Sequence, residues 1–209
     1  MGRTQSNSKT KFLDAALHVI RAKGYEATTV DDICAEAGLT KGSFFHHFES
    51  KEELALAAAE HFATMAEGAF AAAPYRQAED PLDRVLGYVD FRASLMKGEL
   101  PDFTCLLGMM VQETYETHPE IRQACDRHIS AHARTVASDI AEAKKRYAPH
   151  APWEPDSLAL HIQAVIHGAF ILAKARNGPE VAVECLTHLR RYLETQFTPP
   201  QHKRRSAHG

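Results

Sequence analysis

The chain has 209 residues, 44% apolar and 24% charged, which excludes a disordered chain and leaves room for one large domain or two small ones without disulfide or metal support. Its 24 Lys and Arg stand against 27 Asp and Glu, a net charge of −3, so any nucleic-acid function must rest on a local basic surface. Cys34, Cys105, Cys125 and Cys185 include no close pair, which argues against a disulfide framework or a CxxC zinc site and fits a reducing cytoplasm.

No apolar run of membrane-spanning length and no signal-peptide core are read in the chain. Met1-Gly2-Arg3-Thr4-Gln5-Ser6 matches the myristoylation pattern, which is permissive enough to be met by chance. Apolar spacing near 3.6 predicts an all-α fold of about nine helices, without strands or internal repeats. Phe12, Ala15, Ala16, Val19 and Ile20 form the first stripe, stopped at Gly24. Thr29 with Asp32 makes a capping box for a helix that Gly38 ends. Thr40 caps a short third helix, and Ser50 with Glu53 opens a long Ala-rich one to about Ala72. Asp80-Pro81 starts the fifth helix, Cys105 to Tyr115 makes the sixth, and a capping box at Thr117 to Glu120 opens a seventh to about Tyr147. After a Pro-rich loop holding Trp153, helices over 155–177 and 179–197 follow. The basic tail over 199–209, with Lys203, Arg204 and Arg205, is expected to be disordered.

Two short helices joined by a tight Gly turn, 29–37 and 40–47, form a helix-turn-helix, whose second helix enters the DNA major groove. Lys41 is a long cation, Gly42 permits close backbone approach, and Thr40 and Ser43 carry donors for phosphate or bases. His46, His47 and Lys51 lie where a phosphate could pass, and Arg3, Lys9 and Lys11 add local positive charge. The same pattern fits a plain helical hairpin with Phe44, Phe45 and Phe48 as filler, and at least one of the three is expected in the core.

The stretch from Thr28 to Leu54, with Thr29-Val30-Asp31-Asp32-Ile33, Ala37-Gly38-Leu39-Thr40-Lys41-Gly42-Ser43-Phe44-Phe45 and His47-Phe48 at its centre, resembles the signature of TetR-family transcriptional regulators. The resemblance implies DNA binding by the first three helices and a C-terminal half that dimerises and binds a small effector, most members being repressors that the effector releases. By it, Thr40, Lys41, Gly42, Ser43 and Phe44 fall on the recognition helix, and His47 and Lys51 match phosphate-contacting positions. Phe45 stands where the family usually has a Tyr whose hydroxyl contacts phosphate; Phe has no donor. With Thr29 and His46, these residues make up the expected double-stranded-DNA face. The implied domains are 1–50 for DNA binding and 51–198 for effector binding and dimerisation.

Thr104 to Gly108, Glu113 and Pro119 to Arg122 are similar to a branch of the family responding to reactive electrophiles, quinones or unsaturated acids, in some of which a cysteine at the place of Cys105 is the sensor. A helix N-terminus lowers the pKa of a thiol, which favours such a role; burial as a small apolar residue is the commoner fate and the one expected here. The expected effector pocket comprises Phe62, Met65, Cys105, Met109, Gln112, Glu113, His132, His167 and Phe170. His128 and His132, four apart, could chelate a metal, but no third ligand is visible, and neither metal nor cofactor is expected. Ile162, Val165, Ile166, Ala169, Phe170, Leu172 and Ala173, with Val181, Cys185, Leu189, Tyr192 and Leu193, make apolar faces wide enough for a homodimer through the last two helices. The competing readings are a helical enzyme using His128, His132, Glu113 and Cys105, and an interaction module without a DNA target; no nucleophile–base set or phosphate loop supports the first.

Overall fold

The computed structural model describes residues 2–197, with side chains from Ser8 onward. The side chains of Arg3 and the rest of the N-terminal hexapeptide, and the basic tail, lie outside the described residues. Among the described residues there are no strands. The elements are α1 (Gly2–Lys23), α2 (Val30–Ala37), α3 (Lys41–His47), α4 (Lys51–Ala71), a 3-10 turn (Pro74–Gln77), α5 (Pro81–Ser94), α6 (Leu100–Phe103), α7 (Leu106–Thr114), α8 (Pro119–Tyr147), α9 (Pro155–Arg176) and α10 (Glu180–Phe197).

The local signals act as their chemistry requires at three helix starts. Thr29 Oγ1 accepts the Asp32 N–H while the Asp32 carboxylate accepts the Thr29 N–H at 2.8 Å, a complete capping box. Asp80 accepts from the Leu82 N–H at 2.8 Å ahead of Pro81. Ser50 accepts from the Glu53 N–H, but the Glu53 carboxylate reaches back to Glu49, one residue before the box would place it. Gly38 ends α2 at φ +63, a conformation that favours glycine.

Two starts differ from expectation. The helix missing from the sequence reading, α6, is a single turn between Gly98 and Cys105, closed where the Asp102 carboxylate accepts the Glu99 N–H at 2.8 Å. The box at Thr117 to Glu120 does not form: the N-cap is His118, and Thr117 bonds the His118 ring at 2.8 Å. Pro119 opens α8 and needs no donor partner, which leaves Thr117 one residue too early to cap. Lys9 and Lys11, expected to add local positive charge, lie within α1, which is helical from Gly2.

Two apolar clusters hold the chain together. The first joins Phe12, Ile20, Ile33, Phe44 and Phe48 to Leu54 and Ala58 of α4, and continues into Leu106, Met110, Ile121 and Cys125 of α7 and α8. The three short-helix elements are too small to bury a core alone, and α4 and α7 complete it. The second cluster packs α5, α8, α9 and α10 around Val85, Val89, Ile140, Ile162, Ile166, Leu186 and Leu193. Asp139 of α8, only 7% exposed, pairs with Arg76 of the 3-10 turn and with Arg84 Nε of α5 at 2.8 Å, and Arg84 also pairs with Glu142.

The apolar faces of the last two helices need correction. Ile162, Ile166, Ala169, Phe170, Ala173, Leu189 and Leu193 are buried inside the subunit, because α9 is packed between α8 and α10. The bare apolar positions of this pair are Leu160, Ile171, Leu172, Val183 and Tyr192. With apolar residues on both its packed and bare sides, α9 has the length and composition of a membrane-crossing helix, but Ala159, Ile162, Ile166, Ala169 and Ala173 are buried within the subunit, as in a core helix.

Candidate functional site

The reading head rests on α1. The Phe12 ring meets Phe44 edge-on at 5.5 Å and Phe48 at 6.3 Å, so α3 is clamped by its own aromatic residues against the first helix. Phe44 is fully buried, at 0% exposure, which removes it from the DNA-facing set; two of the three phenylalanines are core. Phe45, one residue and about 100° further round the helix, is 58% exposed.

Of the remaining expected residues, most are exposed. Thr40 is the N-cap of α3, its hydroxyl accepting the Ser43 N–H at 3.2 Å, and Gly42 leaves that surface flat. Thr29, Lys41, Phe45 and His46 are exposed and Ser43 is half-buried. Lys41 pairs with Asp31 at 2.9 Å across the turn, a solvent-exposed bridge that a phosphate can displace. His47 is half-buried, bonds Ser8 Oγ at 2.7 Å, and has its pKa lowered by burial and then by His46 and Lys9. Lys51 is otherwise engaged: Nζ donates to the Tyr25 carbonyl at 3.1 Å and lies 4.2 Å from the Tyr25 ring centroid.

A cavity of about 320 Å³ lies behind the head. Phe62, Cys105, His132, His167 and Phe170, each expected from the sequence, line it together. Met65 is exposed on α4, Met109 takes a Lys174 ammonium contact at its sulfur, and Gln112 donates back to the Gly108 carbonyl of its own helix. Glu113 accepts the Glu26 N–H at 2.8 Å and lies so close to Gly24 (φ +93) that a Cβ there would sit 2.2 Å from Oε1. It ties α7 to the turn after α1 instead of facing a ligand.

Sequence reasoning missed Arg21, Phe70, Arg92, Phe103 and Gln163 in the same wall. Arg92 had a signal: it follows Val85, Tyr88 and Val89 on the apolar side of α5, where a charged residue is out of place. Arg21, at the end of α1, donates Nε to Leu17 O at 2.8 Å and Nη1 to the carbonyls of Asp102 and Thr104 at 3.3 and 3.4 Å.

The titratable groups of the cavity are governed by burial. Cys105 is the N-cap of α7, yet burial raises its pKa by more than the Gly108 and Leu107 backbone N–H groups lower it, so the thiolate favoured by helix position alone does not arise. Tyr88 accepts from Gln163 Nε2 at 3.0 Å and bonds His132 Nε2 at 2.9 Å, while His128 faces Glu60 at 3.1 Å; the two histidines serve different partners. Burial first and Arg92 second push His132 and His167 down to about 4.

Both rings are therefore neutral at pH 7, and an unfolded chain binds protons there that the folded one refuses. Stability falls as pH drops from the unfolded value of 6.5 toward about 4. Between pH 7 and pH 5 the loss is about 2 kcal/mol per residue. Urea denaturation at the two pH values checks this: the drop is expected to shrink in the His132→Gln/His167→Gln double variant, and an equal drop overturns the assignment.

Comparison with known proteins places both halves of the chain. Residues 12–58 match the family model described as bacterial regulatory proteins, tetR family, and residues 81–189 match the one described as tetracyclin repressor-like, C-terminal domain. The uncharacterized HTH-type transcriptional regulator YerO of Bacillus subtilis (strain 168) is 37% identical over 60 residues, which are 29% of this chain and 21% of that protein. The transcriptional regulator AcuR of Cereibacter sphaeroides is 28% identical over 173 residues, 81% of this chain and 77% of that protein. The crystal structure of a TetR transcriptional regulator from Chloroflexus aurantiacus J-10-FL superposes with a TM-score of 0.81 at 27% identity, covering 93% of this chain and 98% of that one. These matches are to transcriptional regulators, and the enzyme reading of His128, His132, Glu113 and Cys105 is set aside. With a helix-turn-helix head at its N-terminus and both family models matched along its length, the chain belongs to the TetR family of DNA-binding transcriptional regulators.

Proposed function

We propose that this regulator is a ligand-released repressor that binds a two-fold operator as a homodimer in the cytoplasm. The observation that carries the reading is that α1 and α4, whose residues build the core of the head, also wall the cavity through Arg21 and through Phe62, Ala63 and Ala66. A ligand that prefers one arrangement of that wall shifts the head, and a coupling of about 1–3 kcal/mol is enough to change operator occupancy severalfold or more. The α4 helix alone was the expected connection; the end of α1 is a second.

The bare residues Leu160, Ile171, Leu172, Val183 and Tyr192 on α9 and α10 supply the dimer face. A two-fold dimer presents its two α3 helices to successive major grooves, roughly 34–36 Å apart, and calls for a palindromic site. Thr29, Thr40, Lys41, Gly42, Ser43, Phe45 and His46 face DNA in this reading, with His47 and Lys51 at its edge.

A titration of labelled DNA from upstream of the chain's own gene, at fixed salt, tests it. Lys41→Ala is expected to weaken specific binding by roughly ten- to hundredfold while leaving the dimer intact by light scattering. Unchanged operator affinity counts against the reading head as placed. A dimer that binds no upstream DNA at all favours an interaction module instead.

A further inference from the structure

Arg92 is the odd residue of the cavity. Its guanidinium lies 5.3 Å from the Phe70 ring centroid and 5.5 Å from that of Phe170, both part of the lining. Among the described residues no carboxylate comes within 4.0 Å of it. The lining carboxylates are placed elsewhere: Asp102 closes the α6 turn, and Glu67 stands exposed on α4. The second cation, Arg21, is held by three backbone carbonyls. Neutral His132 and His167 add no fixed charge. The guanidinium is half-buried beside two rings with no carboxylate to neutralise it, and an incoming carboxylate can meet it with two parallel hydrogen bonds.

We propose that the cavity takes an organic monocarboxylate with a compact apolar body, its carboxylate paired with Arg92 and its body among Phe62, Phe70, Phe103 and Phe170. This deepens the effector reading and rests on it. One guanidinium without a carboxylate partner suits a single negative charge; a phosphate dianion would need a second cation, and Arg21 is already engaged. The cavity's 320 Å³, near the lower end for small-molecule sites, suits one ring or a short chain. Gln163, whose amide nitrogen serves Tyr88, keeps an amide oxygen for a polar substituent on the ligand.

The test uses matched pairs that differ only in charge: benzoate and benzamide, cinnamate and cinnamamide, hexanoate and hexanamide. Apparent affinities are read from the concentration dependence of the thermal midpoint of the full-length protein at pH 7. At least one acid is expected to bind tenfold or more tightly than its amide. Arg92→Gln is expected to bring that ratio close to one, and Arg92→Lys to keep part of it. Saturation-transfer NMR on the wild-type protein gives the acid-over-amide preference independently if Arg92→Gln proves misfolded by circular dichroism. Equal binding of acid and amide, no midpoint shift with any acid, or a preference that survives Arg92→Gln overturns the proposal. Operator release separates the two readings. Acids that bind through Arg92 without freeing DNA sink the effector reading and leave the carboxylate site. Release by the amides, indifferent to Arg92, does the reverse.

Discussion

Phe44→Ala is expected to cost the N-terminal head about 3–5 kcal/mol, while Phe45→Ala changes stability by no more than about 0.5 kcal/mol and weakens only DNA binding. The two residues are neighbours of one type on a seven-residue helix, and only their surroundings differ. Phe44 is enclosed by Phe12, Phe48 and Ile33 in the first apolar cluster, so truncation opens a cavity in a core already small for its length. Phe45 touches Phe44 edge-on at 5.2 Å and otherwise faces solvent. Urea denaturation followed by circular dichroism, with proteolysis of the head as a second probe, reads the first effect; operator titration reads the second. Similar stability losses for the two variants would mean that α3 is turned differently on α1.

The other large effect lies far from the DNA. Asp139→Ala is expected to destabilise the C-terminal half by about 3–5 kcal/mol, because it strands the guanidiniums of Arg76 and Arg84 beside a buried site that held their counter-charge. Glu142, which also pairs with Arg84 but is largely exposed, serves as the control: Glu142→Gln should cost no more than about 1 kcal/mol. Chemical denaturation at pH 7 compares the two. A loss under 1 kcal/mol for Asp139→Ala would show that water takes over the two arginines.

What could be read from the sequence was what short-range chemistry decides. The Thr29–Asp32 box, the left-handed stops at Gly24 and Gly38 and the Asp80-Pro81 start each depend on three or four consecutive residues, and all of them form. The choice between Phe44 and Phe45 depends on Phe12, more than thirty residues away, and no local spacing carries it. The pocket shows the same division. Met109, Gln112 and Glu113 share a face of α7 by spacing, but the packing of α7 on α1 and α8 turns that face toward Lys174 and Gly24. The residues that do line the cavity come from faces of α4, α8 and α9 that keep helical spacing, with Arg21, Arg92 and the segment around Cys105, and no local spacing says that these separate faces meet. The apolar faces of α9 and α10 were overcounted for a related reason: an apolar helix packed on two sides and bare on a third reads as one wide stripe.

The length of α1 gives small events at its far end a large reach. Arg21 and Ser8 are thirteen residues apart on one uninterrupted helix, about 20 Å at 1.5 Å per residue. A rod of that length, tilted by about 10° about its cavity end, carries Ser8 and the His47 bonded to it through roughly 3 Å, close to the 3.4 Å spacing of successive base pairs. On the proposed ligand-released reading, small adjustments around an occupant would thereby be magnified into a misfit of a whole step along the duplex, without any need for the head itself to unfold.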